Sequence, residues 1–160
     1  MRFRDVRSLW RSERDPNCVR RLWSQQLAAC LINAAGTPDP ADRDPRLLDL
    51  AVAILQDLEE CLPVWTRGRS KEQIQGYRVS TNWTLARAHH LRTNHRAAVR
   101  HMGEAMRLLK GSQPAAWEDA EEFKKQREKT LARFASDLAR YKTAAESPPK
   151  GQEPATRPNR

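Results

Sequence analysis

The sequence predicts an all-α fold built from stacked antiparallel helix pairs. Apolar residues recur every three or four positions over most of the chain, which is the period of an α-helix. Two separate stretches each carry a small residue, then a large apolar residue, then a third packing residue, all on one helix face. No stretch of useful length shows the alternation typical of a β-strand.

Three helices are predicted in the N-terminal half. Residues 1–17 contain a short basic helix that an Asp-Pro pair ends. A second helix runs over residues 18–35 and stops at a glycine. Pro45 follows an aspartate that can cap a third helix and takes its first position, and we expect Pro63 to end that helix.

The next two helices carry clear start signals. Ser70 with Gln73 three positions later has the pattern of a capping box, and it predicts a helix over residues 71–92. Asn94 lies in the following turn and can cap a fifth helix, residues 95–110.

The C-terminal segment, residues 113–145, predicts one long helix that begins at about residue 115 and covers the last helix pair. Its acidic residues fall near the start, where they complement the helix dipole. Residues 146–160 contain four prolines and no large apolar residue, so we expect a disordered tail.

The two copies of this packing pattern resemble the tetratricopeptide repeat (TPR). The second copy has Leu85, Ala86, His89, Ala98, Met102 and Ala105, and the first has Leu27, Ala28, Ala51, Leu55, Leu58 and Pro63. The chain departs from the family pattern where His89 replaces an aromatic residue, Thr93 replaces the glycine of the turn, and the closing proline is delayed to Pro114.

The resemblance implies a right-handed stack in which residues 18–112 form two TPR-like helix pairs. It also implies that Leu27 and Leu85 lie in equivalent surroundings. Two pairs are few for a stacked repeat, so either the flanking helices cover the ends or the protein forms a homodimer.

TPR proteins bind a peptide or helix in a groove lined by the first helix of each pair. The resemblance therefore implies a non-catalytic adaptor that binds an acidic or amphipathic protein segment. The positions that would face this groove are Gln25, Ala29, Ile32, Trp83, Arg87, His90 and Leu91. In this interpretation Arg87 pairs with a carboxylate and Trp83 anchors an apolar side chain. Burial of Trp83 in the core is the equal alternative.

The charge distribution supports an acidic partner and opens a second interpretation. The net charge is +9, and such an excess favours acidic proteins or nucleic acid as partners. Arginines near the turn before the fifth helix and along that helix could follow a phosphate backbone; they are Arg92, Arg96, Arg100 and Arg107. A basic nucleic-acid-binding protein is therefore the alternative function.

The remaining features argue for a cytoplasmic protein without catalysis. No nucleophile, phosphate-loop or zinc motif is present, and the four histidines lack zinc-ligand spacing, so we expect no enzyme, metal or cofactor. An odd number of cysteines, three, predicts a reducing compartment. No apolar run is long enough to predict a membrane span.

Overall fold

The computed structural model describes residues 19–36, 43–65, 69–116 and 118–146. These residues contain five helices and no strand, which confirms the all-α class. In chain order the helices are α1 (Val19–Ala35), α2 (Pro45–Trp65), α3 (Lys71–Leu91), α4 (His95–Lys110) and α5 (Ala120–Glu146). The predicted helix within residues 1–17 and the predicted tail after residue 146 lie outside the described residues.

The predicted capping signals at Ser70 and Asn94 each start a helix. At the start of α3 the Ser70 hydroxyl accepts a hydrogen bond from the Gln73 amide at 3.3 Å, and the Gln73 side chain accepts one from the Ser70 amide. The Asn94 side chain accepts the Ala97 amide at 3.3 Å at the start of α4. Thr93, in the turn between these helices, has a φ of 60°, so this β-branched residue occupies the left-handed region that glycine adopts more readily.

Two helix boundaries differ from the predictions. α2 runs through Pro63 instead of ending before it, because a proline removes one amide donor while the next residues can still take helical dihedral angles. α5 begins at Ala120, later than residue 115. The Asp119 carboxylate accepts the Glu122 amide at 2.7 Å and so caps the helix at that point.

α3 is the central helix, because it contributes to two separate hydrophobic clusters. α1 packs on α2, α2 on α3, α3 on α4 and α4 on α5, and α1 also touches α3. Leu85 and Ala88 join a cluster formed with α1 and α2. Val79 and Ala86 join a second cluster that Met102 and Phe134 complete from α4 and α5.

The alanines that were expected to allow close helix contact are buried to the same extent in both copies of the pattern. Ala28 and Ala86 are both fully buried, and so are Ala51 and Ala98. Small side chains at these places suit helix axes separated by about 8–10 Å. The right hand of the stack stays a prediction.

The expected equivalence of Leu27 and Leu85 is wrong. Leu27 is 45% exposed, whereas Leu85 is 0% exposed. Leu85 packs against the preceding pair, α1 and α2, but no described helix precedes α1 to cover Leu27. The two leucines therefore differ because one lies inside the stack and the other at its described end.

Candidate partner-binding groove

Three hollows follow one another along α3 and together form the groove. The apolar hollow, of about 470 Å³, lies between the N-terminal part of α3 and α5. The middle hollow, of about 370 Å³, lies between α1 and α3. The basic hollow, also about 370 Å³, lies at the C-terminal end of α3 beside α1 and α5. Trp83 lines both the apolar and the middle hollow, and Arg87 lines both the middle and the basic hollow.

Each hollow has its own chemistry. The apolar hollow is lined by side chains that include Tyr77, Val79, Trp83, Leu109, Phe123 and Phe134. The middle hollow is spanned by Gln25, whose amide donates to the Ser80 hydroxyl and so links α1 to α3. The basic hollow is lined by residues that include Arg43, Arg87, His90, Arg140 and Tyr141. The groove thus changes from apolar to basic along α3.

The structure brings all seven predicted groove residues to this region. Gln25, Ala29, Trp83 and Arg87 line the middle hollow, and Ile32, Arg87, His90 and Leu91 line the basic hollow. Ile32 differs from the expectation in one respect, because it is fully buried and packs in the cluster of α1, α2 and α3. Its side chain supports the wall of the hollow and is not an open contact.

Trp83 packs against the second hydrophobic cluster and also lines two of the hollows. Its ring is half-buried and stacks on Phe134, with the ring centroids 5.9 Å apart. The guanidinium groups of Arg87 and Arg133 lie 5.4 and 4.9 Å from the ring centroid, within the range of a cation–π interaction. Its indole nitrogen is buried and has no hydrogen-bond partner among the described residues. Trp83 therefore forms a rigid apolar wall that still carries an unused donor.

Arg87 joins two of the hollows to α1. Its Nη2 atom donates to the Asn33 side-chain oxygen at 3.0 Å. The same guanidinium faces the Trp83 ring, so both its edge and its face have a partner. Arg87 is thereby held in the groove with its charge still accessible to an acidic ligand.

His90 is held neutral at the basic end of the groove. Burial, the neighbouring His95, and the charges of Arg140 and Arg43 lower the pKa of His90 to about 4. The Nδ1 atoms of His90 and His95 are 3.1 Å apart. The His90 ring also stacks on Tyr141 at a centroid distance of 4.4 Å. A positive environment therefore surrounds a histidine that carries no charge at neutral pH.

A polar cluster on the opposite side of α3 was missed in the sequence. The Asn82 amide donates to the Glu59 carboxylate at 2.9 Å and lies 2.9 Å from His101 Nδ1, so it joins α2, α3 and α4. Burial raises the pKa of Glu59. These residues line a hollow of about 490 Å³ with Arg78 and Arg100.

The hydrogen bonds of this cluster determine which tautomer of neutral His101 is present. Arg100 Nη2 lies 3.3 Å from His101 Nε2, and because a guanidinium only donates, Nε2 must accept. Nδ1 then carries the hydrogen and donates to the Asn82 oxygen. Burial, His89 and Arg100 lower the pKa of His101 to about 4. The His101 ring stacks on the buried His89 at 5.4 Å.

Two of the four arginines of the alternative basic patch are paired with acidic groups in the described part of the chain. Arg92 forms an ion pair with Asp49 at 2.6 Å, and Arg107 forms one with Glu104 at 2.6 Å. Arg100 contacts His101, as described above, while Arg96 is exposed on α4. The four arginines therefore do not form one uncompensated stripe.

No known protein family, curated protein or solved structure matches this chain. In the described ranges no three His, Cys, Asp or Glu side chains converge as a metal ion would require. None of the helices α1 to α5 is long and apolar enough to cross a membrane.

Proposed function

We propose that this chain is a cytoplasmic, non-catalytic adaptor of TPR-like architecture that binds an acidic or amphipathic protein segment in its groove. The observation that carries the proposal is that the seven residues singled out in the sequence, three on α1 and four on α3, line the two neighbouring hollows that share Arg87. A right-handed stack of two helix pairs, with α5 as the covering helix, is part of the same proposal.

The chemistry of the groove supports such a ligand. An amphipathic segment offers an apolar side chain for the apolar hollow and a carboxylate or other anion for the basic hollow. Arg87 lies between these two ends, and a guanidinium held by existing contacts loses little freedom on binding. A net charge of +9 favours approach of an acidic partner.

Nucleic-acid binding by Arg92, Arg96, Arg100 and Arg107 is the less favoured function. The ion pairs of Arg92 and Arg107 reduce the charge available to phosphates, and each phosphate contact needs an uncompensated cation. A homodimer, in which a second copy of the chain covers the exposed Leu27 midway along α1, is the other partner arrangement proposed for this chain.

The proposal is tested by capture of partners from nuclease-treated cell extract with the full chain and with Arg87→Glu. We expect the variant to lose most of the captured protein, because it places a negative charge against an acidic ligand, while circular dichroism shows unchanged helicity. Capture that is unchanged in Arg87→Glu removes the proposed site.

Two matched variants separate the charge effect from other causes. Asn33→Ala breaks the hydrogen bond to Arg87 but keeps the charge, so it should retain most of the capture. Lys125→Glu makes the same charge reversal on the exposed side of α5 and should leave capture unchanged. A parallel capture from untreated extract is the second comparison, and capture that occurs there but is abolished by nuclease would favour the alternative function.

A further inference from the structure

We propose that two copies of this chain pair through one face of the α1–α2 helix pair and leave both grooves open. This face, called the end face, consists of Leu27, Leu31 and Ala34 on α1 and Leu47 and Leu50 on α2. In the described ranges, Leu27 is the only large hydrophobic side chain that is exposed. Contiguous exposed apolar surface is typical of a site of association.

The α1 part of the end face lies on the side of that helix turned away from α3. Leu27, Leu31 and Ala34 follow one another by four and three positions, so they form one strip along α1. Ala29 lines the middle hollow between α1 and α3. Two residues along a helix correspond to a rotation of about 200°, so Leu27 and Ala29 are on opposite sides of α1.

The α2 part of the end face is also turned away from α3. Leu47 and Leu50 are partly buried and pack at the edge of the cluster of α1, α2 and α3. Glu59 contacts α3, because its carboxylate accepts the Asn82 amide at 2.9 Å. Leu50 precedes Glu59 by about two and a half helical turns, which puts it on the opposite side of α2. The two parts therefore form one surface beside α1 and α2.

The two ends of the helix assembly differ in polarity. The outer side of α5 carries exposed charged residues such as Lys125, Glu128 and Lys129. By contrast, residues 22–36 contain no charged residue, although 31% of the chain is charged. A helix at the end of such an assembly needs a polar outer side to remain in water. The end face lacks one, so it needs a cover.

The charge of the helix pair favours a second copy of the chain as that cover. α1 contains two arginines, and α2 contains one arginine and four acidic residues, so the pair has a net charge of −1 in a chain of +9. Two copies can therefore meet here without the repulsion that their total charges produce elsewhere. An acidic segment or a nucleic acid finds no cation on the end face. A second copy presents the same uncharged apolar surface, as a two-fold interface requires.

The size of the end face suits a weak dimer. A two-fold axis parallel to the helices sets α1 against α2 of the second copy, which gives a four-helix arrangement. With 17 and 21 residues, α1 and α2 are about 26 and 32 Å long. Two helices about 10 Å wide then offer roughly 500 Å² per copy and ~1,000 Å² in total. This is the lower limit for a specific interface, and we expect a Kd of roughly 1–100 μM.

The dimer presents two grooves at once. The end face and the middle hollow lie on opposite sides of α1, so pairing of the end faces does not cover the groove. A partner with two acidic segments could then occupy both grooves, and the second contact would benefit from a high effective concentration. This consequence rests on the proposed function, whereas the dimer itself does not.

The direct test is sedimentation equilibrium of the full chain from about 1 to 500 μM at constant ionic strength. We expect the average mass to rise from 18.4 kDa towards twice that value. Leu27→Glu should weaken self-association at least tenfold, because it places a charge in an apolar contact. Leu27 is exposed in the single chain, so helicity and Tm should stay unchanged. Gln56→Glu adds the same charge at an exposed position of α2 outside the end face and should leave self-association unaltered.

A second measurement keeps the test decisive if Leu27→Glu is poorly folded. The backbone amide NMR signals of α1 and α2 should move with the concentration of the unmodified chain, while those of α5 stay in place. In a mixture of isotope-labelled and unlabelled chains, contacts between copies should join the methyl groups of Leu27 or Leu31 to those of Leu47 or Leu50.

Several results would overturn the inference. A mass of 18.4 kDa at every concentration excludes the dimer, and unchanged self-association in a folded Leu27→Glu variant places the interface elsewhere. Contacts of Leu27 with residues 1–18 of the same copy assign the end face to the chain's own N-terminal segment. Arg87→Glu should still dimerise. Loss of the groove function with the dimer intact therefore rejects the adaptor alone, and Arg87-dependent capture by a monomer rejects the dimer alone.

Discussion

Acid should destabilise this protein between pH 6.5 and pH 4, well above the range in which most carboxylates titrate. The ordinary pKa of histidine is near 6.5, and the pKa values of His90 and His101 are about 4 in the folded chain. Between these two pH values the histidines are mostly protonated in the unfolded chain and mostly neutral in the folded chain. The free energy of unfolding is therefore highest above pH 6.5 and falls as the pH is lowered towards 4.

The magnitude follows from the size of the pKa changes. A change from 6.5 to about 4 corresponds to roughly 3.4 kcal/mol for one fully buried imidazole. Both rings are half-buried, so solvent screening leaves about half of that value. At about pH 5 only part of the titration is complete, and we expect a total loss of ~2 kcal/mol.

The surroundings explain why protonation is unfavourable. Burial disfavours the charged form of both rings and is the largest cause of the lowered pKa values. His90 also faces His95, Arg140 and Arg43, with Asp137 acting in the opposite direction, while His101 faces His89 and Arg100. The pKa of Glu59 is raised by burial, which acts in the opposite direction, because protonation of this carboxyl favours the folded state. Glu59 therefore offsets a part of the loss and does not reverse it.

The assay is thermal unfolding by far-UV circular dichroism at about pH 7.5 and about pH 5, with ionic strength held constant. A loss of ~2 kcal/mol should lower the Tm by about 4–8 °C in a protein of this size. His90→Gln and His101→Gln should each flatten the dependence on pH by about half. A Tm that is constant or rises between these two pH values would falsify the conclusion that both imidazoles are held neutral.

Two further predictions concern the turn between α3 and α4 and the close helix contact at Ala98. Thr93→Gly should stabilise the protein by ~1 kcal/mol, raising the Tm by a few degrees, because glycine takes the φ of 60° without strain; a clear fall in Tm would contradict this. Ala98→Trp should destabilise by ~3 kcal/mol or more, because the site is fully buried. Gly103→Trp is the control on the same helix, since open space surrounds Gly103, and an equal loss of urea stability in both variants would reject the close crossing.

Local sequence signals predicted the helices well because their causes are local. The capping box at Ser70 and the Asn94 cap each satisfy free amides within one turn. The same helical period placed Trp83, Arg87 and His90 on one face of α3, so part of the groove followed from spacing alone. The late start of α5 was missed because several acidic residues near this point could each cap a helix. In the structure the Asp119 carboxylate is the one that accepts the Glu122 amide.

The rest of the site depends on contacts between distant segments. Arg140 and Tyr141 reach the basic hollow only because α5 packs across α3 and α4, and no periodicity within α5 specifies that position. The Asn82 bridge likewise needs Glu59 from α2 and His101 from α4 at the same place.

By itself the sequence determined where the helices form and which side of each is apolar, since hydrogen bonds within one turn and hydrophobic periodicity decide both. Only the tertiary structure decided which side chains meet. It buried Leu85 while leaving Leu27 exposed, and it brought Arg43, Arg87 and Arg140 to one hollow. The physical reason is that burial and electrostatic potential at a residue depend on the helices packed around it, whereas helix formation depends on its neighbours in the chain.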